Sequence, residues 1–579
     1  MTGSSPPEIG DLLKQRAAEQ PDKVLFTHLT FDGRDPQRIA YGELYARACR
    51  IAAELGARGL RQRPVLLLYP PGPAFAPAFF GALLARAIAV PAPCPSLEGH
   101  FHRLDGIAAD CTPGAVLSTD DVLARLRDRM PAHSPLRACP WLSTDRDDAA
   151  GSVAPQRGPP SDIALLQYTS GSTADPRGVM VTHGNLAHNA AMIERAFQLP
   201  PGARGVSWLP HFHDMGLIAG FVAPLSCGGE SILMSPESFL RRPLRWLEAI
   251  SHYRGQVCGA PNFAYDLCAR RADRGPLPAL DLGSWQTAFV GAEPVRVSTM
   301  QAFADRFRAS GFQPAALTPC YGLAEATVLV SCAPLRGVPA FHSLSREALE
   351  AGQARPSAGP AAVTLVGCGE PAVGTTVRIV DPASGLPLGS RRVGEIWLSG
   401  PQVARGYWGR DDDAFDATLA DSPGKAFLRT GDLGFLTGEG ELVFVERLKD
   451  VIVFNGQKHA CHDLELTAGT SHEALSPDSC VVVSFDAGDK PHLVVIAELP
   501  RHALGQADDV ARAIRAAWFT THGLAARTIA FVARGKLSRT TSGKLQRRLS
   551  ARRLVAGAMG VLAVNGEALP GAASSPAGD

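Results

Sequence analysis

Apolar positions in the first third of the chain alternate between two periods. Leu44, Ala48, Ile51, Ala52 and Leu55 fall at helical spacing and predict one face of an amphipathic helix. After the turn at Gly59, the continuous run Val65-Leu-Leu-Leu-Tyr69 predicts a strand buried on both faces. Phe75 to Leu84 predicts a helix packed over it, and Ala87-Ile-Ala-Val90, closed by Pro91, a second strand. The rhythm continues through Gly114-Ala-Val-Leu-Ser118, Ile163 to Leu166 and Trp285 to Val290. Repeated strand-then-helix units of this size predict an α/β fold with largely parallel sheets covered by helices.

From about Val363 the texture changes to short strands and turns: Val377 to Val380, Gly394 to Leu398 and Glu441 to Val445. Past Asp450 a compact α+β segment follows, with strands at Cys480 to Ser484 and His492 to Glu498 and a helix over Asp508 to Trp518. The expected organisation is a large N-terminal unit, residues 1–448, whose part from about 363 is a β-rich subdomain. A small C-terminal unit spans 449–555, and residues 556–579, rich in Ala, Gly, Ser and Pro, are expected to be disordered.

A chain of 579 residues with 45% hydrophobic and 20% charged residues fits a multidomain globular protein with large cores. Its 57 basic and 56 acidic residues give a net charge of +1, which argues against nucleic acid held by bulk electrostatics. The twelve cysteines include no CxxC pair, so a zinc ribbon or thioredoxin motif is not expected. The N-terminal residues lack the basic region and apolar core of a signal peptide, and the most apolar stretch, Val65 to Pro93, is broken by prolines and Arg86. A cytoplasmic protein with no integral membrane segment is expected.

The candidate chemistry lies in loops after apolar runs. Thr169, Ser170, Gly171, Ser172 and Thr173 combine hydroxyl donors with a glycine, and Arg177 adds a charge, as a loop holding an oxygen-rich anion requires. A plain polar turn has the same composition. Leu209-Pro-His-Phe-His-Asp-Met-Gly-Leu217 offers His and Asp as metal ligands, but no second His cluster lies near. Gly291-Ala-Glu-Pro-Val295 and Pro319-Cys-Tyr-Gly-Leu-Ala-Glu-Ala-Thr327 follow apolar strands, where parallel sheets bind ligands. Leu428-Arg-Thr-Gly-Asp-Leu-Gly434, Arg447-Leu-Lys-Asp450 and Ser538-Arg-Thr-Thr-Ser-Gly-Lys544 complete the set. The last is no Walker loop, because no Ser or Thr follows Lys544, and Gly367-Cys-Gly369 lacks the third glycine of a dinucleotide fingerprint.

Taken in order, YTSGST, LPHFHDMGL, GAEPV, YGLAEAT, RTGDLG, ERLKD and TSGKLQR resemble the adenylate-forming superfamily of acyl-CoA synthetases, luciferases and peptide-synthetase adenylation domains. In detail they resemble its fatty acyl-AMP ligases, from about Ile9 to Leu554. The resemblance implies ATP-dependent activation of a medium- or long-chain fatty acid, then transfer to the thiol of an acyl carrier protein. It assigns Lys544 to the substrate carboxylate and α-phosphate, Glu325 to Mg²⁺, and Thr169 to Thr173 to the pyrophosphate portion. Thr327 would meet the α-phosphate; Gly291, Ala292 and Glu293 would line the adenine site, with Tyr321 and Gly322 beside them and the Tyr321 ring on the base. Asp432 would take both ribose hydroxyls, Arg447 the ribose–phosphate side, and His213 the acyl carboxylate; Met215 and Phe263 are taken for the wall of the acyl tunnel. Lys449 would be the hinge about which the C-terminal unit swings.

Several positions depart from the pattern. Ala174 and Arg177 stand where many relatives have Gly and Lys, and Ala460 and Cys461 where the acyl-AMP ligases usually have Tyr and Pro. Arg177 keeps the charge and binds phosphate oxygens well. The long segment Cys332 to Val366 resembles the insertion of the acyl-AMP ligases, which the resemblance implies restrains the C-terminal unit, and an ordinary surface loop is its alternative. Asp478-Ser479 has the look of a phosphopantetheine attachment site but directly precedes a strand, so the carrier is expected to be a separate protein or a further domain. A monomer is expected. The rival readings are an acyl-CoA synthetase of the same fold and a non-catalytic adenylate-binding scaffold.

Overall fold

The computed structural model describes residues 5–30, 35–95, 101–145, 156–169, 176–273, 275–335, 337–359, 362–454, 457–487, 490–540, 543–567 and 569. Two sheets dominate the large unit. Six strands in the order Trp141–Ser143, Ala115–Ser118, Pro64–Leu67, Ile88–Pro91, Ile163–Tyr168, Gly178–Thr182 pair in parallel, except for the last, antiparallel strand. Eight strands from Leu329–Cys332 at one edge to Gln37–Ala40 at the other form the second sheet, parallel between its two antiparallel edges.

The run around Val65 shows why these strands form. Val65, Leu67 and Tyr69 face one core, shared with the helices Tyr41–Ala57, Phe75–Leu84 and His183–Ala196, while Leu66 and Leu68 face another beneath the helices Phe101–Cys111 and Asp120–Arg129. Both faces are buried, so a continuous apolar run replaces alternation. The helices of the first core also pack on Phe26, Leu233 and Phe289 of the second sheet, so one apolar layer joins the two sheets.

The β-rich part is an antiparallel group built on Thr376–Val380, Gly394–Ser399, Ala426–Leu436 and Leu442–Arg447. The C-terminal unit has a four-stranded sheet, Cys480–Ala487, Lys490–Glu498, Thr528–Val532 and Val561–Gly566, covered by the helices Cys461–Gly469 and Ala507–His522. Its last strand corrects the expectation of disorder from 556. Val561–Gly566 closes the sheet edge against Thr528–Val532, and Met559 is fully buried beneath it. Edge pairing supplies backbone partners that composition cannot reveal. Residues 571–579 lie outside the described residues.

The segment Cys332 to Val366 is more than a surface loop. Phe341–Ser345 and Ala362–Val366 form a hairpin around the helix Arg346–Glu350, whose Arg346 forms an ion pair with Asp463 of the C-terminal unit. Further ties across the two units are Arg296 to Asp478 (2.5 Å) and Glu446 to His462 (2.7 Å). Burial alone would raise the Glu446 carboxyl, but His462 and Arg547 outweigh it and hold it at about 2. Ser479 is buried and donates to Ser476 O (2.7 Å), a structural rather than an attachment-site environment.

Candidate active site

The strand Leu317–Gly322 runs into the short turn Ala324–Ala326 and returns as Leu329–Cys332. A Cβ on Gly322 would sit 1.7 Å from Val328 O, so only glycine fits this close approach. Thr327 adopts φ +64° and ψ −61°, while Val328 N donates to Ala326 O at 2.7 Å. This is a γ-turn of the strained, positive-φ kind, costly for a β-branched residue. The Thr327 hydroxyl donates to Gln402 O (2.7 Å), tying the turn to the β-rich subdomain. Gly322→Ala should destabilise the chain by about 3 kcal/mol or more, since backbone rather than a yielding side chain opposes the methyl. Chemical denaturation of the variant checks this.

Asp432 and Arg447 face each other as partners across two antiparallel strands. Asp432, only 5% exposed, accepts the Tyr321 hydroxyl at Oδ2 (2.8 Å) and lies 3.3 Å from Arg447 Nε at Oδ1. Burial raises its pKa; Arg447 and the Tyr321 hydrogen bond pull it back. A carboxylate has about four lone-pair sites, so two remain for further donors. One face of the Tyr321 ring stacks on Phe444, with centroids 6.2 Å apart.

Glu325 Oε1 accepts the Tyr407 hydroxyl (2.7 Å). Arg177 lies over the Tyr407 ring, 5.3 Å from its centroid, and 3.6 Å from Asp412. Thr169 N donates to Arg177 O (3.3 Å), so the two ends of the hydroxyl loop are held together. Ser170, Gly171, Ser172, Thr173 and Ala174 lie outside the described residues. The loop after Val290 makes a second close approach. Ala292 has φ +67°, and Glu293 Oε1 accepts Phe263 N–H (2.6 Å) in the first turn of the helix Asn262–Ala272.

The segment from Leu209 folds against itself: a Cβ on Gly216 would meet Pro210 O at 2.1 Å. Asp214 caps its own short turn, accepting Met215 N–H at Oδ1 (2.7 Å). Met215 borders two apolar cores, and Phe263 joins the second of them. Lys544 arrives from the C-terminal unit on a loop with Gly543 at φ +89°, set against the Phe263 ring. Burial, then Arg447, lowers the Lys544 pKa, while Asp214, Glu293 and Asp432 raise it. Lys544 is therefore within electrostatic reach of three acids and one cation belonging to the large unit. Lys449 lies in the turn Leu448–Asp450, where the last strand of the large unit passes into the C-terminal unit.

His213 is held at about 3 by burial, then by Arg103, Lys544 and His211, so it is neutral at ordinary pH. Burial likewise takes His183, His211 and His522 to about 3. Unfolded, each would bind a proton near 6.5; folded, none does until about 3, so acid favours the unfolded chain throughout that window. Glu293 acts oppositely, since burial pushes it up to about 7 from 4.5, and the raised carboxyls of Asp214, Asp266, Asp432 and Glu465 act with it. Those four start from lower values, however, while His28 and His188 are lowered along with the four histidines. The urea midpoint should therefore fall from pH 7 to pH 5. A rising midpoint would contradict these burial effects.

Asp214 is offered by its motif only as a metal ligand, and two further residues in this arrangement carry no assignment from sequence. Tyr407 is 82 positions from Glu325, and Arg103 lies on the helix Phe101–Cys111; neither has a local signature. No cluster of ligand-type side chains forms around His211 and His213 among the described residues.

The chain is similar to known proteins over nearly its whole length. The AMP-binding enzyme family matches residues 13–408, and a Disco-interacting protein 2-like AMP domain matches residues 449–562. The chain is 37% identical to the medium-chain-fatty-acid–[acyl-carrier-protein] ligase JamA of Moorena producens, covering 93% of each protein. It is 36% identical to the long-chain-fatty-acid–AMP ligase FadD26 of Mycobacterium marinum, covering 93% of this chain and 96% of the relative. A fatty acyl-adenylate ligase from L. pneumophila, solved with acyl adenylate and pyrophosphate, superposes with a TM-score of 0.74 at 33% identity, covering 96% of this chain and 98% of that one.

Proposed function

The chain belongs to the AMP-binding enzyme family, and on that premise we propose that it is a fatty acyl-AMP ligase that activates a medium- or long-chain fatty acid with ATP and passes the acyl group to a carrier-protein thiol. In the first step a carboxylate oxygen bonds to the α-phosphorus, the bond from that phosphorus to the bridging oxygen breaks, and pyrophosphate leaves. In the second, a thiolate sulfur bonds to the acyl carbon, the anhydride C–O bond breaks, and AMP leaves.

The obstacle in the first step is charge. Two like unit charges about 4 Å apart repel by ~4 kcal/mol at an effective dielectric near 20, so cations must stand where the anions meet. The feature that most supports the reading is that Lys544, on the C-terminal unit and next to Gly543 at the Phe263 ring, is within electrostatic reach of Asp214, Glu293, Asp432 and Arg447 of the large unit. Lys544 bridges the carboxylate and the α-phosphate, and neutral His213 offers a hydrogen bond beside the carboxylate without adding a charge that would compete for it. Asp432 takes the ribose hydroxyls, Arg447 the ribose–phosphate side, and Tyr321 stacks its free face on the base. Gly291, Ala292, Glu293 and Gly322 shape the adenine pocket, Thr327 meets the α-phosphate, and Thr169 through Thr173 hold the pyrophosphate. Met215 and Phe263 border the acyl path.

Glu325 suits Mg²⁺: it is a hard oxygen donor whose Oε1 is oriented by Tyr407, while Oε2 has no partner among the described residues. Bound there, the ion would neutralise phosphate charge. The two family matches divide near residue 449, which supports a C-terminal unit turning about Lys449 between the two steps. Among the described residues no helix is long and apolar enough to cross a membrane. Cytosolic residence and a monomeric state belong to the same proposal, and sedimentation tests the second.

The deciding experiment supplies ATP, Mg²⁺ and a fatty-acid mixture, with either CoA or a phosphopantetheinylated carrier protein. Acyl-AMP without any thiol, and an acylated carrier with little acyl-CoA, is the expected result. Acyl-CoA formed as fast as acyl-carrier would overturn the acceptor assignment, and no acyl-AMP from any fatty acid would overturn the whole reading.

A further inference from the structure

The helix Arg346–Glu350 ends against the C-terminal unit, where three ligand-type side chains meet from three separate elements. They are Glu350, His459 on the strand Gln457–Ala460, and His522 at the end of the helix Ala507–His522. Donor atoms of the three all lie within 4.8 Å of one another, the only such group among the described residues. His459 is 1% exposed, and neither of its ring nitrogens has a hydrogen-bond partner. A buried imidazole left unsatisfied is costly, and an ion is one of the few things that accounts for it.

A simple ion pair explains less. Glu350 Oε1 comes within 3.1 Å of His459 Nδ1, but without hydrogen-bond geometry, and Nε2 would still be stranded. His522 meets Thr467 Oγ1 through Nε2 (2.8 Å), which leaves Nδ1 able to act as a lone-pair donor. Arg346 donates a long hydrogen bond to that Nδ1 (3.5 Å), which a bound ion would have to displace, and its charge is shared between Asp463 and Glu350.

We propose that Glu350, His459 and His522 form a binding site for a borderline-soft divalent transition-metal ion, Zn²⁺ foremost, which ties the insertion helix to the C-terminal unit. Two imidazoles and one carboxylate, with water in the fourth position, make an N₂O set suited to zinc. Zinc–nitrogen bonds of about 2.0–2.1 Å would draw the donors to roughly 3.4 Å apart, a small side-chain closure from their present spacing. Mg²⁺ prefers octahedral oxygen ligands, so the metal that accompanies ATP is a poor competitor here.

The test titrates Zn²⁺ alone into untagged, metal-stripped full-length protein against a chromophoric chelator. One equivalent bound with a Kd of about 1 µM or tighter is expected. His459→Ala, His522→Gln and Glu350→Gln should each weaken binding at least about tenfold, and Glu325→Gln should leave it unchanged. Zn²⁺ should also raise the thermal midpoint of the wild type and not that of His522→Gln. Absence of stoichiometric binding, or retention of full affinity in both His522→Gln and Glu350→Gln, overturns the proposal; these two variants decide it even if His459→Ala does not fold.

Discussion

Lys544→Ala should lower the rate of acyl-adenylate formation by about 10²–10³-fold while leaving ATP binding largely intact. The size follows from the repulsion between carboxylate and phosphate, about 4 kcal/mol for a single pair of charges near 4 Å, which is worth roughly a thousandfold in rate. The separation of catalysis from binding follows from the arrangement. Tyr321, Asp432 and Arg447 hold one another within the large unit through contacts that do not involve Lys544. Removing the lysine also relieves desolvation of a partly buried cation, so folding should be little harmed. Pyrophosphate exchange measures the first effect and equilibrium nucleotide binding the second. A variant that adenylates at a near wild-type rate would remove Lys544 from the mechanism.

Asp432→Ala should raise the KM for ATP by about 10–100-fold and destabilise the protein by about 1–3 kcal/mol. Both effects come from the same carboxylate. For the nucleotide it is the proposed acceptor of two ribose hydroxyls; for the fold it is the partner of Tyr321 and Arg447 and is itself only 5% exposed. Truncation leaves a buried phenol hydroxyl and a guanidinium without that partner. The KM for fatty acid should change far less, since the Leu209–Leu217 segment and Phe263 lie on other elements. Steady-state kinetics against both substrates, with a denaturation curve, separates the two effects. Equal increases in both KM values would point to a general loss of structure instead.

Burial geometry also explains where the reading from sequence was strong and where it was weak. Strands such as Pro64–Leu67 and Ile163–Tyr168 were legible because burial on both faces demands a continuous apolar run. The strand Val561–Gly566 was not, because an edge strand in an Ala- and Gly-rich stretch gains its stability from a partner sheet that local composition does not contain. Glu325 was singled out by its motif, while its hydrogen-bond partner Tyr407, 82 positions away, had no local signal.

The sequence by itself determined the α/β class, the order of the motifs and a hydroxyl- and glycine-rich loop suited to an anion, which are local properties of composition and spacing. The roles expected of Asp432, Glu325 and Lys544 came from the family that the motifs resemble. Only the tertiary structure decided that Thr327 sits in a strained γ-turn, that Glu293 meets Phe263, that Arg346 of the insertion pairs with Asp463, and that Glu350, His459 and His522 converge. Each joins residues, or strains a backbone, through close packing of segments far apart in the chain, and no local spacing encodes which of those segments will meet.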